Sequence, residues 1–349
     1  MKKHYNIPVF ITHSGCKNSC VFCNQKIITG QSESSGEPEI RQTIEKFIDI
    51  IDSIYRRADK NENYFAGAEI AFFGGSFTGL EKSQMIKFLE IANEYISRHK
   101  LIDGIRISTR PDYISREIAD ILSKYNVKSA ELGIQSMFDE VLTACKRGCT
   151  VKDAETACEI IKSSGINLTG QMMLGLPESS REKDIETAKR LVNLGVDCAR
   201  IYPAVILSGT ELYTMYKRGE YEPLSLDEAV FRAKEIKKIF DLNHIEILRM
   251  GLCSSDINES DIIAGAYHPA FGELVESEII YDMLVEELRR DAQCASDRND
   301  IIIRLNKKNM SKVVGHKRKN IERLGNIKII EDNNITGLYK IDKIEITER

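Results

Sequence analysis

Six short apolar runs, recurring at roughly 30-residue spacing, dictate the architecture open to this chain. They are IPVFIT (7–12), EIAFFGG (69–75), GIRIST (104–109), SAELGIQS (129–136), LTGQMMLG (168–175) and CARIYPAVI (198–206). Between them lie stretches such as EKSQMIKFLEIANEYISRH and REKDIETAKRLVNLG, with apolar residues at i, i+3, i+4 and i+7, the period of an amphipathic helix. A strand followed by a helix, six times over, reads as parallel β/α units wound in one direction. Residues suited to chemistry fall at the C-terminal ends of these runs: Cys16 after the first, Gly74 and Gly75 at the second, Arg110 after the third, Gln135 and Ser136 at the fourth. A doubly wound sheet gathers its ligands at one switch point, whereas a β/α barrel decorates every strand end. The expected fold is α/β, a partial (β/α)6 TIM-like barrel with a small C-terminal α/β extension.

After residue 206 the alternation stops. Residues 225–240 read as a helix, 247–275 are punctuated by Gly and Ser, and 275–292 read as another helix. Residues 301–328 then shift in composition: nine Lys and Arg stand against Glu322 alone, a charge of +8, in a chain whose net charge is −4. The rest therefore carries −12, so a small basic module sits on an acidic body. The expected organisation is a barrel over 1–240 and an extension over 241–349 that includes the basic segment. At 42% apolar and 29% charged residues, intrinsic disorder is excluded. No apolar run nears the roughly 18 residues of a membrane span, and the first residues have no signal-peptide pattern, so the expected compartment is the cytoplasm.

In a reducing compartment nine cysteines are not a disulfide framework, and thiols that act are metal ligands or nucleophiles. Cys16, Cys20 and Cys23 are spaced C-x3-C-x2-C on a segment leaving a strand. Three such thiolates can each bind one iron of a 4Fe-4S cube, leaving the fourth iron open for a substrate or cofactor. A zinc site completed by His13 is the alternative. Cys145, Cys149 and Cys158 are either the start of a second cluster or ordinary thiols, and Cys198, Cys253 and Cys294 are scattered.

The three-cysteine spacing, with Phe22 before the last cysteine, resembles the radical S-adenosylmethionine superfamily. That resemblance implies a 4Fe-4S cluster whose open iron is chelated by the amino and carboxylate groups of S-adenosylmethionine. An electron from the reduced cluster then cleaves the sulfonium to a 5′-deoxyadenosyl radical. FFGGSFT (72–78) is similar to the glycine motif that receives the methionine amino group, which implies cofactor contacts at Gly74, Gly75 and Ser76. By position, members of the anaerobic coproporphyrinogen-oxidase type imply further contacts at Ser108, Gln135, Arg147 and Gln171, although Ser108 and Gln171 are acidic in those relatives. Arg147 would pair the cofactor carboxylate in a fork that Lys cannot reproduce. No catalytic residue is assigned.

STRPD (108–112), ELGIQSMFDEVLTACKRG, MMLGLP and RIYPAVILSGTELYTMYKRGEYEPLS resemble the radical domain of the Elongator catalytic-subunit family, over roughly residues 7–240. The implied activity is modification of an RNA base, with transfer RNA as substrate. Two departures stand out: the first cysteine gap is three residues where that family has a longer insertion, and the segment after 240 carries no glycine-rich acetyl-coenzyme A loop. An acetyl-transfer step is therefore not expected of these residues. IIIRLNKKNMSKVVGHKRKNIERLG (301–325) resembles a KH-type RNA-binding core, with Gly315-His316-Lys317-Arg318 at its G-x-x-G loop and the second glycine absent. The implied partners are RNA and a low-potential electron donor such as flavodoxin or ferredoxin. Lesser candidates are a lid at His268-Pro269 and a stacking role for Tyr202, with Met172 and Met173 as barrel packing. Two rivals stay open: a radical enzyme or heme-chaperone-like protein acting on a small molecule, and a non-catalytic iron-sulfur RNA-binding protein.

Overall fold

The computed structural model describes residues 3–11, 14–24, 27, 36–57, 65–252, 259–292, 301–325 and 327–343. The chain divides into two compact units, Met1–Leu226 with Ile236–Pro269, and Asp227–Glu235 with Ala270–Arg349.

The first unit is built on parallel strands β1 (Lys3–Phe10), β2 (Phe65–Phe73), β3 (Ile102–Thr109), β4 (Val127–Gln135), β5 (Asn167–Leu174) and β6 (Cys198–Pro203). After the short β7 (Val205–Leu207) comes β8 (Glu246–Met250), which joins them in the order β1-β2-β3-β4-β5-β6-β8 to give a seven-stranded parallel half-barrel. The helices between them are α1 (Glu37–Arg57), α2 (Lys82–Arg98), α3 (Arg116–Lys124), α4 (Asp139–Ala144), α5 (Val151–Ser163), α6 (Arg181–Asn193), α7 (Glu211–Lys217) and α8 (Leu226–Leu242). The partial barrel is as expected, but the alternation runs one unit further than the apolar pattern indicates. β8 is an edge strand with no fully buried residue, so its apolar signal is weak. The CARIYPAVI run is divided: β6 ends at Pro203, and β7 pairs antiparallel with β9 (Ile262–Gly265).

Strand alternation sorts the side chains. On one face Ile70, Phe72, Ile105, Ile107, Ala130 and Leu132 are fully buried, and Phe72 stacks on Phe88 of α2 with ring centroids 6.2 Å apart. On the other face the same strands carry charges. Glu69 accepts from Arg106 Nε (2.9 Å) and Ser129 Oγ (2.7 Å), and Glu131 accepts from Arg200 Nη2 (2.8 Å) and Arg106 Nη1 (3.4 Å). Two carboxylates and two guanidiniums thus neutralise one another inside the half-barrel. A buried ion needs a partner, and each of these four has one.

In the second unit β10 (Ile301–Leu305) lies between β11 (Ile327–Glu331), parallel to it, and β12 (Lys340–Lys343), antiparallel. Its core joins Ile303, Leu305 and Val313 to Ile280 and Leu284 of α9 (Phe271–Ala292). Between β10 and β11 run two short helices, α10 (Met310–Val314) and α11 (Lys319–Leu324). Gly315 (φ 81°) separates them; a Cβ there would stand 2.8 Å from Cγ of Asn320. Lys317 (φ 51°) and Arg318 (φ 65°) are left-handed as well, so Arg318 takes a conformation that favours glycine.

Candidate active site at the strand ends

The segment after β1 and the turn after β2 interlock through their backbones. Ile11 N donates to Phe73 O (2.8 Å), Ser76 N donates to Ser14 O (3.0 Å), and Cys16 Sγ lies 3.1 Å from Ser76 Oγ. A Cβ on Gly75 would stand 2.4 Å from Ile11 O and 2.5 Å from Ser14 O. The glycines that the motif reserves for close approach therefore bring the cysteine segment against the end of β2. Ser76 is buried beneath it.

A second segment, CKRGC (145–149) after β4 and α4, clasps the cysteines from the other side. Val21 N donates to Cys145 O (3.2 Å), and Asn18 Nδ2 donates to Arg147 O (3.3 Å). Arg147 is buried, and its Nη1 donates to Cys20 Sγ at 3.1 Å while Nη2 donates to Gly133 O. Arg110, also buried, is held by Asp112 through Nε (2.9 Å) and Nη2 (3.0 Å) and points Nη1 at Cys20 Sγ, 3.8 Å away. Its Nη2 also donates to Arg147 O. Burial, then the nearby Cys20 and Cys16, push the Cys23 thiol up to about 12, against the pull of Arg147 and Arg110. Three thiols at one strand end, two of which oppose ionisation of Cys23, faced by two guanidiniums, form a donor set that a cationic iron-sulfur core would satisfy. Among the described residues no three His, Cys, Asp or Glu side chains converge as ligands of a single ion, whereas in a cube each thiolate takes a different iron. His13, the fourth ligand of the zinc alternative, lies outside the described residues, as do Cys253 and Cys294.

Gln135 ends β4 at a register shift, with φ 69° and its side chain buried. Its Oε1, Ser136 Oγ and Arg147 Nε are buried polar atoms without a hydrogen-bond partner. Such orphans, on a residue in a costly backbone conformation, fit a site that completes its hydrogen bonds with a ligand. Ser108 donates to Glu131 (3.3 Å), and Gln171, half-buried on β5, stands beside Gly133 and Arg200 in register. The structure thus brings Cys16, Cys20, Cys23, Ser76 and Arg147 into direct contact or mutual influence, while Ser108 belongs to the polar network of the barrel interior.

Asn18, Glu131 and Arg200 are the residues the sequence did not single out. Asn18 carried no signal, while the other two were visible only as charges in apolar strands. Cys145 and Cys158 are buried thiols pushed up to about 12, mainly by desolvation, and Cys145 packs among Val21, Val141, Leu176 and Leu212. Met172 is core and Met173 packs against that same cluster, while Tyr202 accepts from Arg200 Nη1 (3.3 Å). Among the described residues no helix is long and apolar enough to cross a membrane.

A parallel half-barrel with three thiols on the segment that leaves its first strand is the architecture of the radical S-adenosylmethionine fold. A Radical SAM superfamily model matches residues 10–191 and a Radical_SAM C-terminal domain model matches 196–281; the chain belongs to this superfamily, and its cofactors are a 4Fe-4S cluster and S-adenosylmethionine. Within it the chain is similar to the Elongator group. It is 33% identical over 208 residues to a tRNA uridine(34) acetyltransferase of Methanocaldococcus jannaschii, covering 59% of this chain and 36% of that protein. An uncharacterised protein of the same organism is 30% identical over 238 residues, covering 66% of this chain and 70% of its own length. The archaeal Elp3 of Methanocaldococcus infernus, solved with an N-terminal deletion, superposes with a TM-score of 0.58 at 26% identity, covering 82% of this chain and 64% of that one. The chain spans about one third of the length of the tRNA uridine(34) acetyltransferases it matches.

Proposed function

We propose that this chain is a radical enzyme that modifies an RNA base, with transfer RNA as its substrate class, and that it acts in the cytoplasm. When bound, the reduced cluster supplies the electron that splits S-adenosylmethionine into methionine and a 5′-deoxyadenosyl radical able to take a hydrogen from the substrate. In this reading Cys16, Cys20 and Cys23 each hold one iron. Gly74, Gly75 and Ser76 line the methionine end of the cofactor, and the unpaired Oε1 of Gln135 accepts from a ribose or adenine donor. Ser108 and Gln171 complete the set from β3 and β5, and Arg147 stands at the cluster. A flavodoxin- or ferredoxin-type donor supplies the electron. The first unit, which carries β8 beyond the expected boundary at 240, is the catalytic barrel, and the KH-like basic segment, 301–328, of the second unit holds the RNA.

What carries the RNA part of this reading is the kinship of the barrel to tRNA uridine(34) acetyltransferases. The acetyl transfer of those proteins is not part of the proposal. One observation favours a small-molecule substrate instead: Lys312, Lys319 and Arg323 are already paired with Glu276, Asp227 and Glu278, which takes three cations from any RNA surface. The deciding experiment reconstitutes the cluster anaerobically, reduces it with dithionite, adds S-adenosylmethionine, and quantifies 5′-deoxyadenosine with and without total transfer RNA, beside a Cys20→Ala control. The expected result is cleavage that is lost in the control and rises with transfer RNA. Cleavage indifferent to RNA moves the substrate to a small molecule, and no cleavage at all from an intact cluster leaves a non-catalytic binding protein.

A further inference from the structure

Arg147 is a buried guanidinium, 5% exposed, and no carboxylate lies within ion-pairing distance of it among the described residues. An unpaired buried charge costs several kcal/mol, so such a group persists only where an anion meets it. The groups its terminal nitrogens meet are Cys20 Sγ, at 3.1 Å from Nη1, and the carbonyl of Gly133. Of these only the sulfur can carry charge. Nη1 and Nη2 each give an N–H to these two partners, and Nε has none. Arg110 brings a second guanidinium to the same sulfur at 3.8 Å, and Asp112 fixes its plane by two hydrogen bonds. The arrangement is braced from the backbone, since Arg147 O accepts from both Arg110 and Asn18, and a Cβ on Gly148 would stand 2.0 Å from the Asn18 amide.

We propose that Arg147, seconded by Arg110, is a positioning and tuning residue of the cluster: its N–H on Cys20 Sγ stabilises the reduced state and so sets the potential at which an electron is accepted. The sign follows from charge. Reduction adds one electron, delivered by a low-potential donor, to a centre already carrying three thiolates, and no bond of the protein forms or breaks. A fixed cation beside one thiolate lowers the free energy of the more negative state, and hydrogen bonds to cluster sulfur act in the same direction. Cys20 rather than Cys16 or Cys23 is the tuned ligand, because both guanidiniums converge on it. The inference rests on the superfamily's cluster and not on the choice of RNA as substrate.

The test is a redox titration of the full-length reconstituted protein without S-adenosylmethionine, followed by the electron paramagnetic resonance of the reduced cluster, with iron and sulfide measured in every sample. Arg147→Met keeps the bulk and removes the charge; with wild-type iron and sulfide, its reduction equilibrium should fall about tenfold, ~59 mV for one electron. Arg110→Met should give a smaller fall, because Asp112 already balances Arg110. Arg147→Lys keeps the charge but cannot reach Cys20 Sγ and Gly133 O together, and should fall between wild type and Arg147→Met. A loaded Arg147→Met cluster that titrates at the wild-type potential and instead binds S-adenosylmethionine more weakly overturns the proposal and makes Arg147 a cofactor ligand. Should Arg147→Met take up no iron, Arg110→Met and Arg147→Lys decide, and wild-type potentials in both overturn it equally.

Discussion

At the scale of single residues the site depends on where side chains are missing as much as on where they stand. Gly75 has Ile11 O and Ser14 O where its Cβ would be, and Gly15, at φ 76°, has Ser76 O 2.1 Å from the same point. Each glycine is the hole into which the other segment's backbone fits. Gly75→Ala must push the cysteine segment off β2, at a cost of about 1–3 kcal/mol for an overpacked contact. The expected outcome is a lower denaturant midpoint together with less than the wild-type iron per chain; a variant that loads iron normally would show that this interlock does not position the cysteines. The reason for the glycines was only half legible. FFGGSFT announces close approach, but its second party, the carbonyls of Ile11 and Ser14, is distant in sequence and has no motif of its own. The cysteine spacing was readable because ligation imposes it locally. The Arg147 contact was not, because a guanidinium that serves a sulfur looks in sequence like one that serves a carboxylate.

At the scale of elements, what was legible follows burial. Strands β2 to β6 lie between neighbours, keep one face under the helices, and stand out as apolar runs. β8 sits at the sheet edge with Glu246 and Leu248 exposed and the rest half-buried, so nothing in its composition separates it from a loop. The α10–α11 connection was missed for a different reason: a five-residue helix has too few turns to display a period. A buried amide holds it. Asn320 Nδ2 donates to Ser277 O and Oγ (both 3.0 Å) and to Val313 O (3.3 Å), tying the start of α11 to α9 and to the end of α10. Asn320→Ala removes these hydrogen bonds from a site 2% exposed, which costs about 1–3 kcal/mol. Calorimetry of the variant should show the second unit melting earlier while cluster iron and the barrel's transition stay as in wild type; an unchanged melting profile would mean that the loop is held by something else.

At the scale of the whole molecule, charge separation is strong in sequence and weaker in space. The window 301–328 carries +8, yet the structure spends part of this on its own acids. Lys312 pairs with Glu276 (3.9 Å), Lys319 with Asp227 (2.7 Å), and Arg323 with Glu278 (2.7 Å), while its guanidinium lies 3.6 Å from the Tyr281 ring centroid. Composition cannot reveal this, because the acids lie on helices 36 to 92 residues earlier in the chain. Lys307, Lys308, Lys317, Arg318 and Lys328 carry no ion pair among the described residues, and Lys317 and Arg318 form the left-handed turn that Gly315 opens. If the unit holds RNA, these cations are the ones available to its phosphates. Each phosphate contact contributes roughly 0.7–0.9 to the slope of log K against log salt, through release of bound counterions. The double variant Lys317→Ala/Arg318→Ala should therefore lower that slope for transfer RNA by about 1.5 and weaken binding at low salt. Lys319→Ala, which removes a cation already matched by Asp227, should leave the slope nearly where it was. Filter-binding isotherms across a salt series separate the two cases. Equal slopes for wild type and the double variant would remove the 315–318 turn from any RNA interface, and a loss in Lys319→Ala as large as in the double variant would show that RNA displaces the internal ion pair and reads the whole basic face.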